Sequence, residues 1–303
     1  MAQPPPDPLA EALLGKWNQA RELLSVALDE RVTVDEKLKR FGDLAGEPLN
    51  EDDDRRVDLA SHDFARQEFS RMWPLDLYFR PDVWNLEKLP KKGGALLVSN
   101  HVVLAIDSML FCKQVFEKAG RMVHPTVDKL FIRLPWLRPW ALQMGCVAGT
   151  RENALALLKS GELVLSYPGG AREAFKNTRE PYKLQWERAT GFVRVALEAQ
   201  VPIIPVASVG GDESYTTLSE DNGWLKQMVG GALKYTMPLY LGLGPFPLPV
   251  KFIFAVGDPI HLDLPPGAAG DEEAVREIHE RVQRDLSRLL DETRMRRGVS
   301  PFG

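Results

Sequence analysis

Residues 96–107 read LLVSNHVVLAID. The apolar run from Ala95 to Val98 is bounded by Gly93-Gly94 before it and by Ser99-Asn100 after it. That is the pattern of a strand buried on both faces of an α/β sheet. His101 then stands at the strand's carboxyl end, where open α/β sheets place their ligand crevice. A neutral imidazole there can take a proton from a hydroxyl, and a carboxylate within reach can fix its tautomer and stabilise the imidazolium. Asp107, six positions on, is the candidate carboxylate. The next stretch, Ser108 to Ala119, reads as a helix. On an ideal helix, positions six apart lie about 120° from eclipsing, so the pair can meet only if some residues between them are non-helical.

A second stretch, residues 163–175, reads LVLSYPGGAREAF. The run Leu163-Val164-Leu165 ends at Tyr167-Pro168-Gly169-Gly170, followed by Arg172 and Glu173. Glycines let main-chain N–H groups approach a ligand closely, and a guanidinium offers a planar fork of donors for phosphate or carboxylate. A third strand-like run, VPIIPV, covers residues 201–206.

The order of these blocks resembles the glycerolipid acyltransferase superfamily of the PlsC type, whose members move a fatty acyl group from a thioester to an alcohol. The blocks are NHVVLAID, GTRENALALLKSGELVLSYPGGAREA and GFVRVALEAQVPIIPVASVG, and the resemblance spans about residues 75–260. His101 and Asp107 are separated by five residues, against four in the commoner form, and Pro168-Gly169-Gly170 stands where that form has Pro-Glu-Gly. Both variants resemble the branch of diacylglycerol acyltransferase-like and phytyl ester synthase proteins. The resemblance implies His101 as general base and Asp107 as its orienter. It implies substrate contacts from Asn100, Arg151, Tyr167, Pro168, Gly169, Gly170, Arg172 and Glu173. The Gly169-Gly170 main chain would serve a developing oxyanion, and Arg151 and Arg172 would hold an acceptor headgroup or the donor's phosphates, with Glu173 bonded to one of them. The donor is acyl-CoA or acyl carrier protein, and no metal or cofactor is needed because the thioester is already activated. The acceptor favoured is a lysophospholipid or lysophosphatidate, with neutral alcohols such as diacylglycerol as the alternative. A lipid-binding protein that kept the fold without the activity is the rival from another class. A thioesterase finds no support, since no G-x-S-x-G elbow occurs.

Composition narrows the setting. With 303 residues, the chain can bury a substantial core. Its 38 basic and 42 acidic residues give no global field for nucleic acid. Two cysteines, Cys112 and Cys146, in apolar surroundings read as reduced core residues of a cytoplasmic protein. The five histidines show no metal-ligand spacing. The first residues, MAQPPPDP, show neither a basic n-region nor an apolar h-region, so a secretory signal is not expected; with no run of about 18 apolar residues either, a lipid would be reached peripherally, from the inner face of a membrane.

The remaining elements complete an α/β fold: a mixed, mostly parallel sheet flanked by helices (residues 63–303), with an N-terminal helical extension over 1–62. Apolar spacing gives helices over Asp7–Asp29 and Val34–Leu44 in that extension, then over Asp63–Trp73. Tyr78–Leu86 reads as an entry strand, and Lys129–Trp140, aromatic and basic, suits either a membrane headgroup boundary or a buried helix end. Lys176–Arg188 reads as a polar, basic loop, and Gly210–Ser214 as an acidic turn that is solvated or else lines the crevice. Tyr235–Val250, uncharged and carrying four prolines, is threaded against the core or dips into a membrane interface. Lys251–Gly257 is a strand, and Asp271–Arg296 an amphipathic helix with acids first and arginines last.

Overall fold

The structure, a computed structural model, describes residues 60–102, 105–128, 132, 137–174, 176, 181–219, 239–241 and 247–298. The helices expected over 7–29 and 34–44, most of the 129–140 stretch and much of 235–250 lie outside the described residues.

Three parallel strands carry the middle of the molecule. They are β2 (Ala95–Ser99), β5 (Leu163–Ser166) and β6 (Ile203–Val209). Each strand's apolar residues are buried on alternate faces. Leu96, Val98, Val164 and Ile203 pack into one layer, and Ala95, Leu97, Leu165 and Ile204 into the other. Among the described residues the sheet has seven strands in the order β1-β9-β6-β2-β5-β3-β4, with β1 at Asp82–Trp84, β3 at Val123–Val127, β4 at Val147–Ala148 and β9 at Ile253–Val256. All neighbours run parallel except β6 and β9. A separate antiparallel pair joins β7 (Thr216–Ser219) to β8 (Leu239–Leu241).

Helices cover both faces. On one side lie α5 (Arg151–Lys159), α7 (Gly191–Ala199) and the C-terminal α8 (Glu272–Arg297), whose Val275, Val282, Leu286 and Leu290 are buried. Helix α8 starts where the Asp271 carboxylate accepts from the Glu273 and Ala274 N–H groups, and it ends at Gly298. On the other side lie α1 (His62–Arg71), α2 (Trp73–Phe79) and α3 (Ile106–Ala119). Two short helices, α4 (Arg138–Gln143) and α6 (Gly170–Ala174), border the site described below.

Three expectations change. Tyr78–Leu86 is not one strand: Pro74 at the first turn opens α2, Arg80 caps it in the left-handed region (φ 45°), and only Asp82–Trp84 pairs with the sheet. Gly210–Ser214 is not solvated, for Gly210, Gly211, Asp212 and Ser214 are buried. Lys176, expected in a polar loop, is also buried, with its Nζ 2.8 Å from Asp212 Oδ2. Each charge makes the other tolerable away from water.

Candidate active site

The carboxyl ends of β2, β5 and β6 lie side by side because the strands are parallel, and each hands the chain to a polar segment: Asn100-His101, Tyr167–Gly170 and Gly210–Glu213. The Asn100 side chain ties two of them together. Its Nδ2 donates to the Ser208 carbonyl at 2.9 Å and its Oδ1 accepts the Ser208 N–H at 2.8 Å, fully buried. Asn100 is thus engaged by β6 rather than turned to a substrate.

His101 follows in non-helical backbone, and Asp107 lies in the first turn of α3, as their meeting requires. His101 Nδ1 lies 3.4 Å from Asp107 Oδ2. Asp107 is wholly buried, while the His101 side chain is 12 % exposed. Ala105, which precedes α3, holds the left-handed conformation at φ 57°, an uncommon choice for alanine. The Tyr167 ring stacks on the imidazole with centroids 4.0 Å apart and planes 20° from parallel. Burial, with the nearby Asp107 charge adding to it, pushes the Tyr167 phenol well above its ordinary value. The imidazole is therefore held on one edge by a carboxylate and on one face by a ring.

The imidazole lines a cleft of about 490 Å³ whose walls include Thr126, Asp128, Ser166, Pro168, Gly170 and Phe192. An apolar cavity of about 410 Å³ shares Ala105, Ser108 and Val127 with it. Its other walls include Met109, Pro125, Trp140, Ala141 and Met144. Cys112 and Cys146 line it as free thiols, and burial pushes the Cys146 thiol up to about 12 and the Cys112 thiol higher still. Both are packing residues.

The other expected residues divide. Tyr167, Pro168 and Gly170 line the cleft beside His101. Gly169 lies under the Glu173 side chain. The Gly170 N–H, expected to serve an oxyanion, donates to the Tyr167 carbonyl at 2.9 Å within the turn. Arg151 lies on the surface, where its Nε donates to Glu198 Oε1 at 3.1 Å. Helix α5 carries it toward α7 instead of into the cleft. Arg172 forms an ion pair with Glu187. Glu173 is fully buried, and its oxygens accept the N–H groups of His101 and Gln185, each at 3.4 Å. Burial pushes its carboxyl up to about 7, against the pull of Lys176 and His101. Sequence reasoning missed Ser108, adjacent to Asp107 and on the walls of both the cleft and the apolar cavity, and the buried Lys176–Asp212 pair.

Comparison with known proteins finds relatives of this chain. A bovine (Bos taurus) protein described as a DGAT1/2-independent enzyme synthesizing storage lipids is 28 % identical over 252 residues, covering 78 % of this chain and 72 % of the relative. An uncharacterized protein of Mycobacterium tuberculosis is 32 % identical over 224 residues, covering 70 % of this chain and 62 % of its own length. Among solved structures, the 1-acyl-sn-glycerophosphate (LPA) acyltransferase PlsC from Thermotoga maritima aligns with a TM-score of 0.42 and 16 % identity over 75 % of this chain and 78 % of that one. Residues 80–209, from the start of the sheet to the end of β6, match the family described as Acyltransferase. Over those residues, therefore, the chain carries a domain that matches the acyltransferase family.

Proposed function

We propose that the enzyme transfers a fatty acyl group from a thioester, acyl-CoA or acyl carrier protein, to a lipid hydroxyl, with His101 as general base and Asp107 as its orienter. The observation that carries this reading is the His101 Nδ1 to Asp107 Oδ2 approach of 3.4 Å on the wall of a cleft contiguous with an apolar cavity. With Nδ1–H turned to Asp107, Nε2 is the basic atom and takes the acceptor's proton. The oxygen attacks the thioester carbonyl, and the tetrahedral intermediate expels the thiolate. The imidazolium returns the proton to that thiolate, leaving an ester and a free thiol. Asp107 stabilises the imidazolium while it exists. The apolar cavity suits the acyl chain, since burying each methylene there contributes about 0.8 kcal/mol.

The preference for a phosphorylated acceptor rested on Arg151 and Arg172, and Glu198 and Glu187 now partner them. Among the described residues that line the cleft, none is a lysine or an arginine, and Asp128 is acidic. A neutral acceptor of the diacylglycerol or long-chain alcohol kind fits that lining better, in keeping with the storage-lipid description of the bovine relative. No helix of the described residues is long and apolar enough to cross a membrane. Peripheral contact is supported by Trp73 and Leu77, exposed four residues apart on α2.

The test is thiol release from palmitoyl-CoA by purified protein with diacylglycerol, a long-chain alcohol, lysophosphatidate or a lysophospholipid. Release that depends on a neutral acceptor supports the reading. Release only with lysophosphatidate would restore the phosphorylated acceptor. Lipid binding without release from either thioester donor would favour a non-catalytic lipid-binding protein.

A further inference from the structure

Glu173 is a buried carboxyl that the acyl-transfer steps do not consume. Its side chain lies against Gly169: a Cβ built there would come 2.3 Å from Glu173 Oε2 and 2.7 Å from its Cβ and Cδ. Gly169 is not among the glycines with positive φ, whereas Gly170 is, at 52°. Residue 169 is therefore glycine for want of space and not for its backbone. The space is held by Glu173, one helical turn further along, whose Oε2 accepts the His101 N–H and whose Oε1 accepts the Gln185 N–H. Behind it the Lys176–Asp212 pair is sealed from solvent, and Asp212 also accepts the Tyr182 N–H at 2.6 Å. The carboxylate thus grips the main chain of His101 where β2 gives way to the approach to α3.

We propose that Glu173 is the positioning residue of the His101–Asp107 pair, and that positions 169 and 173 are alternative origins for one carboxylate seated under His101. This rests on the reading of His101 as the base. It accounts for Pro168-Gly169-Gly170 standing where the commoner form has Pro-Glu-Gly: the carboxylate comes from α6, and residue 169 must then be small.

The experiment compares Glu173→Ala, Glu173→Gln, Gly169→Ala, the double variant Gly169→Ala/Glu173→Ala and the relocation Gly169→Glu/Glu173→Ala. His101→Ala is the reference. Readouts are kcat and KM for acyl transfer, the His101 amide and imidazole titration by NMR, and thermal unfolding. Losing a hydrogen bond from an N–H to a charged acceptor should lower kcat about 10- to 100-fold in Glu173→Ala, with KM changed less than about threefold. Glu173→Gln, which keeps one acceptor oxygen, should lose less. Gly169→Ala should lower kcat because it displaces Glu173, yet cost nothing further once Glu173 is alanine, so the double variant should match Glu173→Ala. The relocated carboxylate should recover activity above Glu173→Ala and return the His101 amide resonance toward its wild-type position. Losses that multiply in the double variant, or a Glu173→Ala enzyme with wild-type kcat and an unmoved His101 resonance, would overturn the proposal. If Glu173→Ala fails to fold, Glu173→Gln and Gly169→Ala decide: unchanged kcat and His101 signals in both would overturn it. Full activity in His101→Ala would remove the catalytic reading instead, and the NMR readouts would still report whether Glu173 positions His101.

Discussion

Replacing Asn100 with alanine should destabilise the protein more than the loss of one small side chain suggests. The Asn100 amide makes two bonds to the Ser208 main chain, at 2.9 and 2.8 Å, and both partners are buried. Alanine leaves the Ser208 N–H and carbonyl without that partner at the end of β6, and a buried group left unsatisfied costs about 1–3 kcal/mol. Two such groups give about 2–6 kcal/mol, and each kcal/mol shifts Tm by about 2–4 °C in a domain of this size. A fall in Tm of about 6–12 °C is the central expectation, with the urea midpoint moving and the m-value unchanged. Asn100→Asp should do no better, because its second carboxylate oxygen would face the Ser208 carbonyl. Because His101 is the next residue, kcat should fall with stability. An Asn100→Ala protein with Tm within about 2 °C of wild type and a raised KM alone would refute the bridging role and return Asn100 to substrate binding.

Other expectations are briefer. Lys176→Met should cost about 3–5 kcal/mol in urea unfolding by stranding the Asp212 charge, and pairing it with Asp212→Leu should recover most of that loss. Glu173 is pushed from its ordinary 4.5 up to about 7, so the folded protein holds a proton that the unfolded chain has released between those values. Stability from this group is therefore lost as pH rises through that window, and Glu173→Gln should gain up to about 3 kcal/mol relative to wild type between pH 4.5 and 8, measured by unfolding across pH. Ala141→Phe, which intrudes on the apolar cavity, should shift donor preference to shorter acyl chains. Each methylene excluded should lower kcat/KM about fourfold, read from a series of acyl-CoA donors.

Much of the site was legible because its parts are local in sequence. The apolar runs ending at Val98, Leu165 and Val206 mark three strands that the fold sets parallel, and their polar exits mark the crevice. The need for non-helical residues between His101 and Asp107 followed from helix geometry alone. What stayed hidden depends on distant partners. Nothing local to Arg151 foretells Glu198, 47 positions away, and nothing near Asn100 foretells Ser208, 108 away. Lys176 and the Gly210–Ser214 turn read as solvated because their polarity signals surface, and only folding brings Lys176 to Asp212. The missing motif glutamate was legible as an absence, while its replacement by Glu173 required the space over Gly169 to be seen.

The central claim is that His101 is the base of an acyl transfer. The most direct measurement is acceptor-dependent thiol release from palmitoyl-CoA by wild type and by His101→Ala at matched folded fractions. The variant should lose about 10²–10⁴-fold in kcat, the scale of general-base catalysis, with Tm little changed. A variant that turns over within about tenfold of wild type would contradict it.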